Sequence, residues 1–321
     1  MTTPSKNWRL PEMGAEHERA LSDLLEMLRY RRPHMSASER KFINRFIRPL
    51  RVHVDDFGNL YKRIGDRPHI MWSCHTDTVH HHPGKQEIAI SESGIVSIAN
   101  RSSNCLGADD AAGVWLMREM ILAGVPGLYV FHRGEERGGL GSDWIAANNA
   151  DLLKDIDAAV AFDRKGTDSI ITHQMVGACC SDAFAKSLAD AIGMGHRLDN
   201  TGTFTDTANY AHIIPECANV SVGYESEHGP RETLDTRYLM ALREAMLSFD
   251  AAPLTIKRDP SVMDYDMYDD PIYQMPDERL VDIIRRYPEA IASLLEQFGI
   301  TEDDVIEAIY QDEPSVFHNR Y

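Results

Sequence analysis

The 321-residue sequence lacks an apolar stretch long enough to cross a membrane, and its first residues lack the apolar core of a signal peptide. We therefore expect a cytoplasmic protein with no membrane partner. The chain has only five cysteines and no CxxC spacing, which argues against a structural zinc site with cysteine ligands. The cysteines are expected to be buried free thiols.

Positive charge is also scarce. The chain has 33 lysines and arginines against 50 aspartates and glutamates, a formal net charge of −17. So acidic a surface repels phosphate backbones, which argues against nucleic acid as a partner. Otherwise the composition, 43% hydrophobic and 26% charged, is that of an ordinary soluble globular protein.

Strand-like apolar runs alternate with helical patterns over most of the chain. Helices are predicted at residues 15–30, 36–48, 109–123, 142–149, 181–192 and 233–248. Strands are predicted on both sides of the Asp56–Asn59 turn and at residues 68–74, 127–131, 157–162, 169–173 and 218–222. A hairpin that turns near Ser93 and Gly94 is predicted over residues 86–99. This alternation predicts an α/β fold with three layers, α/β/α, around a central mixed, largely parallel sheet.

The composition shifts near Ala252. We predict a catalytic domain over residues 1–255, followed over 256–321 by an acidic connection and a short helical C-terminal extension. Three short helices are expected in that extension.

Metal-competent side chains follow the predicted strands in an unusual order. They are His75, Asp77, Asp109, Asp110, Glu135, Glu136, Asp163 and His228. In open α/β sheets ligand sites gather beyond the carboxyl ends of the strands. The positions of these side chains therefore predict one common site.

Two histidines and three separated carboxylates suit a pair of zinc-like ions that share one acid, which indicates metal-assisted hydrolysis. Asp109 is the candidate for the shared carboxylate, Glu136 for a ligand and Glu135 for the general base. Asp77, two residues beyond His75 on the same face of a strand, is placed to orient that imidazole. Taken singly these signals are weaker, because His-x-Asp arises by chance and an acid at a helix start can be a simple N-cap.

Five segments resemble, in order, the motifs of co-catalytic zinc exopeptidases, the group that holds M28-type aminopeptidases and M20-type carboxypeptidases, dipeptidases and deacylases. The segments are CHTDTV, LGADDAAG, FHRGEERGGLGS, AFDRKG and SVGYESEHGPRE. The resemblance covers about residues 50–250. It implies two divalent ions, expected to be zinc, one held by His75, Asp109 and Asp163, the other by Asp109, Glu136 and His228. It also implies a cis peptide bond after Asp109.

The spacing of the motifs bears on the subtype. Only 65 positions (228 − 163) separate Asp163 from His228, too few to add the lid domain that M20-type enzymes insert there. The chain is therefore expected to be a zinc-exopeptidase-like catalytic domain without an inserted lid domain, more M28-like than M20-like. Glu232, four residues after His228, is nevertheless similar to the M20 pattern.

The leading hypothesis is a dinuclear metal-dependent hydrolase that cleaves a terminal amide bond of peptides, as an aminopeptidase. The first alternative is an M20-like carboxypeptidase, dipeptidase or N-acyl deacylase that lacks the lid domain. The second is a non-catalytic binding or scaffold protein with the same fold. The expected substrate is a peptide or an N-acyl amino acid. Whether the protein forms a homo-oligomer is left open.

Three further features have two interpretations each. Tyr224 could donate to an oxyanion or be a half-buried packing residue. The run Thr205–Thr207 could lie near the site or form a plain turn. The histidines of 80–82 are expected on a solvated rim.

Overall fold

Helices and strands alternate in the part of the chain that the computed structural model describes, which is residues 14–99, 103–175 and 177–262 with isolated positions between 284 and 305. The helices are α1 (Ala15–Met27), α2 (Ala37–Phe42), α3 (Ala108–Ala123), α4 (Leu140–Asn148), α5 (Asp182–Ile192) and α6 (Thr236–Leu247). The strands are β1 (Tyr30–Arg31), β2 (His53–Val54), β3 (Leu60–Ile64), β4 (Ile70–His75), β5 (Gly84–Lys85), β6 (Ile88–Ile90), β7 (Ile95–Ile98), β8 (Gly127–His132), β9 (Ala158–Arg164), β10 (Ser169–Ile171), β11 (His173–Gln174), β12 (Gly177–Ala178), β13 (Arg197–Asp199), β14 (Glu216–Ser221), β15 (Tyr224–Glu225) and β16 (Thr233–Asp235).

The central sheet has eight strands in the order β13-β10-β14-β9-β4-β8-β3-β2. Its middle four strands, β14, β9, β4 and β8, are mutually parallel, whereas β3 and β10 run antiparallel to their inner neighbours. The predicted mixed, largely parallel sheet is confirmed.

Alternating residues of the middle strands feed two separate hydrophobic cores. On one face Trp72 and Phe162 stack with ring centroids 5.5 Å apart, in the core that also receives α3 and α6. On the other face Met71 and Val130 join a second core with Ile145 of α4. Because side chains alternate along a strand, helices on both faces give the three-layer arrangement that the sequence predicts.

Polar caps explain where several helices begin. Ser36 Oγ accepts from the Glu39 N–H (3.0 Å), and Ser181 Oγ accepts from the Phe184 N–H (3.1 Å). The sequence predicts one helix over residues 233–248, but this is wrong for the first three. Thr233–Asp235 form β16, which pairs with β7 and β15 in a small antiparallel sheet, and Asp235 then caps α6.

The chain divides into two compact units, Met1–Tyr265 and Asp266–Tyr321. In the first, the Arg258 side chain donates to the main-chain oxygens of Ala178, Ala211, Ile214 and Pro215. Residues just beyond 255 are therefore anchored to the first unit. The three predicted C-terminal helices lie almost wholly outside the described residues, and the predicted domain roles stay predictions.

Among the described residues, no helix combines the length and the apolar character that crossing a bilayer requires.

Candidate metal centre

The structure brings the predicted site residues together at the carboxyl ends of the parallel strands. His75 ends β4, Asp163 lies near the end of β9, and Glu135–Glu136 form a turn directly after β8. Asp109 lies in the first turn of α3, and His228 comes from the loop between β15 and β16 of the small sheet. The convergence follows from topology, since parallel strands deliver their last residues to one edge of a sheet.

Asp109 lies at the centre of the cluster and contacts both histidines. Its Oδ1 is 2.9 Å from His75 Nε2, and its Oδ2 is 3.2 Å from His228 Nε2. Each carboxylate oxygen therefore faces a different imidazole, as a carboxylate shared by two cations requires. The peptide bond between Asp109 and Asp110 is cis, as the resemblance implies.

The other carboxylates divide between the two histidines. Asp163 Oδ1 is 3.5 Å from His75 Nε2, and Glu136 Oε2 is 3.2 Å from His228 Nε2. Glu135 Oε2 is 3.9 Å from His75 Nε2, slightly farther out. The division into two ligand sets that the resemblance implies stays a prediction.

The side chains present fit a pair of divalent cations. Imidazole nitrogens and carboxylate oxygens are zinc ligands, and a buried oxygen of Glu136, Oε1, has no hydrogen-bond donor among the described residues. Asp110 also lies within ligating distance of His75 and Asp163. Its two oxygens, however, already accept from the backbone N–H groups of His75 (3.1 Å) and Gly113 (2.8 Å), so it holds the ligand loops in place.

Burial and mutual repulsion set the acidity of the cluster in the protein alone. Burial, with repulsion from Asp109, raises the pKa of Asp163, and burial raises the pKa of Glu135 well above its usual range. Burial alone would raise the pKa of Asp109, but its hydrogen bonds with His228 and His75 hold that pKa below its usual range. So many buried acids in one place repel each other unless cations are present.

Asp77 acts on both sides of the centre. Its backbone carbonyl oxygen, rather than its carboxylate, is the closer partner of His75 Nδ1, at 3.1 Å against 3.7 Å. Its Oδ1 accepts from the N–H groups of Gly134 (2.9 Å) and Glu135 (3.2 Å). Asp77 thus fixes the backbone of the Glu135 turn as well as the His75 ring.

Glu232 supports the loop that leads into Asp109. Its Oε2 accepts from the N–H groups of Leu106 (2.8 Å) and Gly107 (2.9 Å), and its Oε1 from the N–H of Asp109 (3.1 Å). Burial, with repulsion from Asp109, raises the pKa of Glu232 to about 7.

Replacing Glu232 by Ala is expected to loosen the shared carboxylate. Three buried N–H groups lose their acceptor, which should lower the free energy of unfolding by about 3 kcal/mol. Metal affinity should fall about 10- to 100-fold, because supporting contacts orient ligands. Titration with a competing metal chelator and urea unfolding measure the two effects. Glu18→Ala, on the exposed surface of α1, is the control, and equal affinities in the two variants would contradict this role.

Sequence reasoning missed three residues behind the centre. Arg32 is fully buried and donates to the carbonyl oxygens of Thr76 (3.0 Å) and Gly107 (3.3 Å). Thr76 directly follows His75, and Gly107 lies two residues before Asp109. Glu39 accepts two hydrogen bonds from the third residue, Arg133, which comes shortly before the Glu135 turn in the chain. In the sequence, Arg32 looks like one of several arginines in the N-terminal region, and Glu39 looks like an ordinary residue of a helix. Neither pattern indicates a contact with the centre.

Two of the ambiguous features lie at the centre. Thr205 Oγ1 and the Tyr224 hydroxyl donate to the two oxygens of Asp163, at 2.7 and 3.1 Å. The Tyr224 hydroxyl is thus directed at a carboxylate of the candidate centre. The predicted solvated rim is wrong for His80, which is buried and contacts Thr78 Oγ1 (2.7 Å) through Nδ1. Burial lowers the pKa of His80 to about 3.

No family model and no curated protein sequence matches the chain. Solved structures do. Aminopeptidase PepT from Bacillus cereus ATCC 10987 matches with a TM-score of 0.60 at 16% identity, over 72% of this chain and 97% of that one. A tripeptidase from Staphylococcus aureus subsp. aureus Mu50 matches with a TM-score of 0.60 at 15% identity, over 72% and 97%. The TET1 peptidase of Pyrococcus horikoshii matches with a TM-score of 0.50 at 16% identity, over 73% and 99%.

The chain has the zinc-exopeptidase fold. The fold expected from the sequence motifs is thus confirmed. Identities this low show the fold alone, so the activity has to be argued from the site itself.

Proposed function

We propose that this protein is a dinuclear metal-dependent aminopeptidase of the M28-like type, with zinc as its metal. The observation that carries the proposal is the position of Asp109, whose two oxygens face His75 and His228 separately. Glu136 and Asp163 supply one unshared carboxylate to each half. Two divalent ions bound there would polarise the scissile carbonyl and lower the pKa of a coordinated water.

Glu135 is the proposed general base. Burial raises its pKa, which favours a carboxylate that can accept a proton and return it. It would take a proton from the attacking water and deliver it to the leaving nitrogen. Because Asp77 Oδ1 accepts from its N–H, the Glu135 backbone is held while the side chain stays free for this task.

Two alternatives stay open. An M20-like carboxypeptidase, dipeptidase or N-acyl deacylase is favoured by two cations, Arg164 and Lys165, in the wall of the pocket beside the centre, since either could bind a substrate carboxylate. A scaffold protein without catalysis would have no need of a complete ligand set and a base. Assembly into a homo-oligomer is part of the proposal, because the TET1 peptidase can form a tetrahedron or a large octahedral shell.

Dipeptides blocked at one end distinguish the enzymatic candidates. We expect acetylation of the amino end to abolish hydrolysis, whereas a peptide with an amidated carboxyl end should still be hydrolysed. Release of free amino acid measures the rate. Turnover of the amino-blocked peptide would identify a carboxypeptidase or deacylase instead. Absence of turnover together with absence of bound transition metal in mass spectrometry would favour the scaffold.

A further inference from the structure

A pocket opens next to the candidate metal centre. One part of its wall consists of the centre itself, with Asp109, Glu135, Asp163 and His228. Among the described residues of the remaining wall, the charged side chains are Arg164, Lys165 and Glu227, and the apolar ones include Phe204 and Ile171.

Arg164 directly follows Asp163 and is held in a fixed position. Its Nη2 donates to Asp199 Oδ2 (3.1 Å) and to Thr201 Oγ1 (3.0 Å). Its Nε is buried and has no acceptor among the described residues. Arg164 is therefore a cation in the pocket wall with one donor that the described residues leave unused.

The carboxylate partner of Arg164 is largely satisfied by other donors. Asp199 also accepts from Ser169 Oγ (2.9 Å) and from the N–H (2.8 Å) and Oγ1 (2.6 Å) of Thr201. Asp199 is not part of the pocket wall. Asp199 and Arg164 form an ion pair at 3.1 Å, so Asp199 holds the guanidinium from outside the pocket wall.

The remaining charges of the wall nearly cancel. Lys165 Nζ lies 2.7 Å from Glu227 Oε1 and forms an ion pair with it. Two divalent ions would balance the carboxylates of Asp109, Glu135, Glu136 and Asp163. With the ions bound, Arg164 and Lys165 would be the two cations of the wall that a substrate carboxylate can contact.

We propose that this pocket selects short peptides that carry a carboxylate within reach of Arg164, with Lys165 as an auxiliary cation. The carboxylate is either the acidic side chain of the first residue or the free carboxyl terminus. Phe204 and Ile171 would contact the aliphatic part of the substrate. The inference names the substrate class of the proposed aminopeptidase and therefore depends on that function.

Four dipeptides separate the two sources of the carboxylate. They are Glu-Ala-amide, Gln-Ala, Glu-Ala and Gln-Ala-amide, which carry it on the side chain, at the terminus, at both places or nowhere. We expect kcat/KM for Gln-Ala-amide to be about 10- to 100-fold lower than for the favoured singly charged peptide, as for loss of one charge-assisted hydrogen bond. Whichever of the first two is favoured identifies the source.

The failures of the two proposals differ. Hydrolysis of all four peptides at equal kcat/KM would overturn the carboxylate preference and leave the aminopeptidase standing. Hydrolysis of none would overturn the aminopeptidase. A binding measurement keeps the preference testable then: calorimetry on metal-loaded Glu135→Gln should show the same order of affinities, and equal affinities would overturn it.

Arg164→Met tests the residue. The ratio of kcat/KM for the favoured peptide over Gln-Ala-amide should fall toward one, and Lys165→Met should lower it less. Arg197→Met, an exposed arginine paired with Asp168 outside the pocket wall, is the matched control and should keep the wild-type ratio. If Arg164→Met does not fold, the proposal is tested by the four peptides on the wild-type protein and by the fall of the same ratio in Lys165→Met. An unchanged ratio in folded Arg164→Met contradicts the assignment.

Discussion

Glu135→Gln should bind its metals normally and lose about a thousandfold in kcat, the middle of the range for general acid–base catalysis. Glutamine has nearly the shape of glutamate but cannot accept the proton. Glu135 lies 3.9 Å from His75 Nε2, beyond the carboxylates that contact the histidines most closely, so its loss should spare the ligand set. Rate assays and metal analysis of the purified variant measure the two effects.

The neighbouring residue supplies the matched control. Glu136→Gln removes a proposed ligand at 3.2 Å from His228 Nε2 and should lose metal as well as turnover. The pair of variants separates loss of the base from loss of the ion. A Glu135→Gln enzyme within tenfold of the wild-type rate, or one that has lost its metal, would refute the role of Glu135.

Excess chelator should abolish turnover and lower the melting temperature together. A ligand present at a thousand times its dissociation constant stabilises the folded state by about 4 kcal/mol. For a domain of this size each kcal/mol shifts the melting temperature by about 2–4 °C, so the fall should be roughly 10 °C. The physical reason is the cluster of buried carboxylates around Asp109, whose repulsion is no longer offset.

Asp109→Asn is the control for this experiment. Because it removes the shared carboxylate, chelator should change its melting temperature little. Glu135→Gln, with its ligands intact, should show the full wild-type shift. Differential scanning calorimetry with and without chelator tests all three proteins, and an unchanged wild-type melting curve would argue against a metal centre.

The sequence predicts where these side chains meet because their positions follow a local rule. His75 and Asp163 each lie at the end of an apolar run that can be recognised as a buried strand, and parallel strands bring their ends together. The Asp109 turn and the two glutamates carry small residues and glycines around them, which mark them even without a structure.

What supports the centre could not be predicted in this way. Arg32 is buried through contacts with residues 44 and 75 positions away, which no local pattern encodes. Glu39 looks like the second half of a capping box, but its carboxylate binds Arg133 instead, 94 residues along the chain. Strand β16 has only three residues, too few to show the alternation of apolar and polar side chains that marks a strand. It forms because β7 and β15 pair with it on its two sides.

The origin of the ligands in separate parts of the chain bears on how the protein matures. His75 ends a strand of the central sheet, whereas His228 lies in the loop between two strands of the small sheet, 153 positions later (228 − 75). A nascent chain that ends before residue 228 can offer only one of these two imidazoles to Asp109. If the proposed pair of ions binds there, full loading would require that synthesis and folding have reached residue 228.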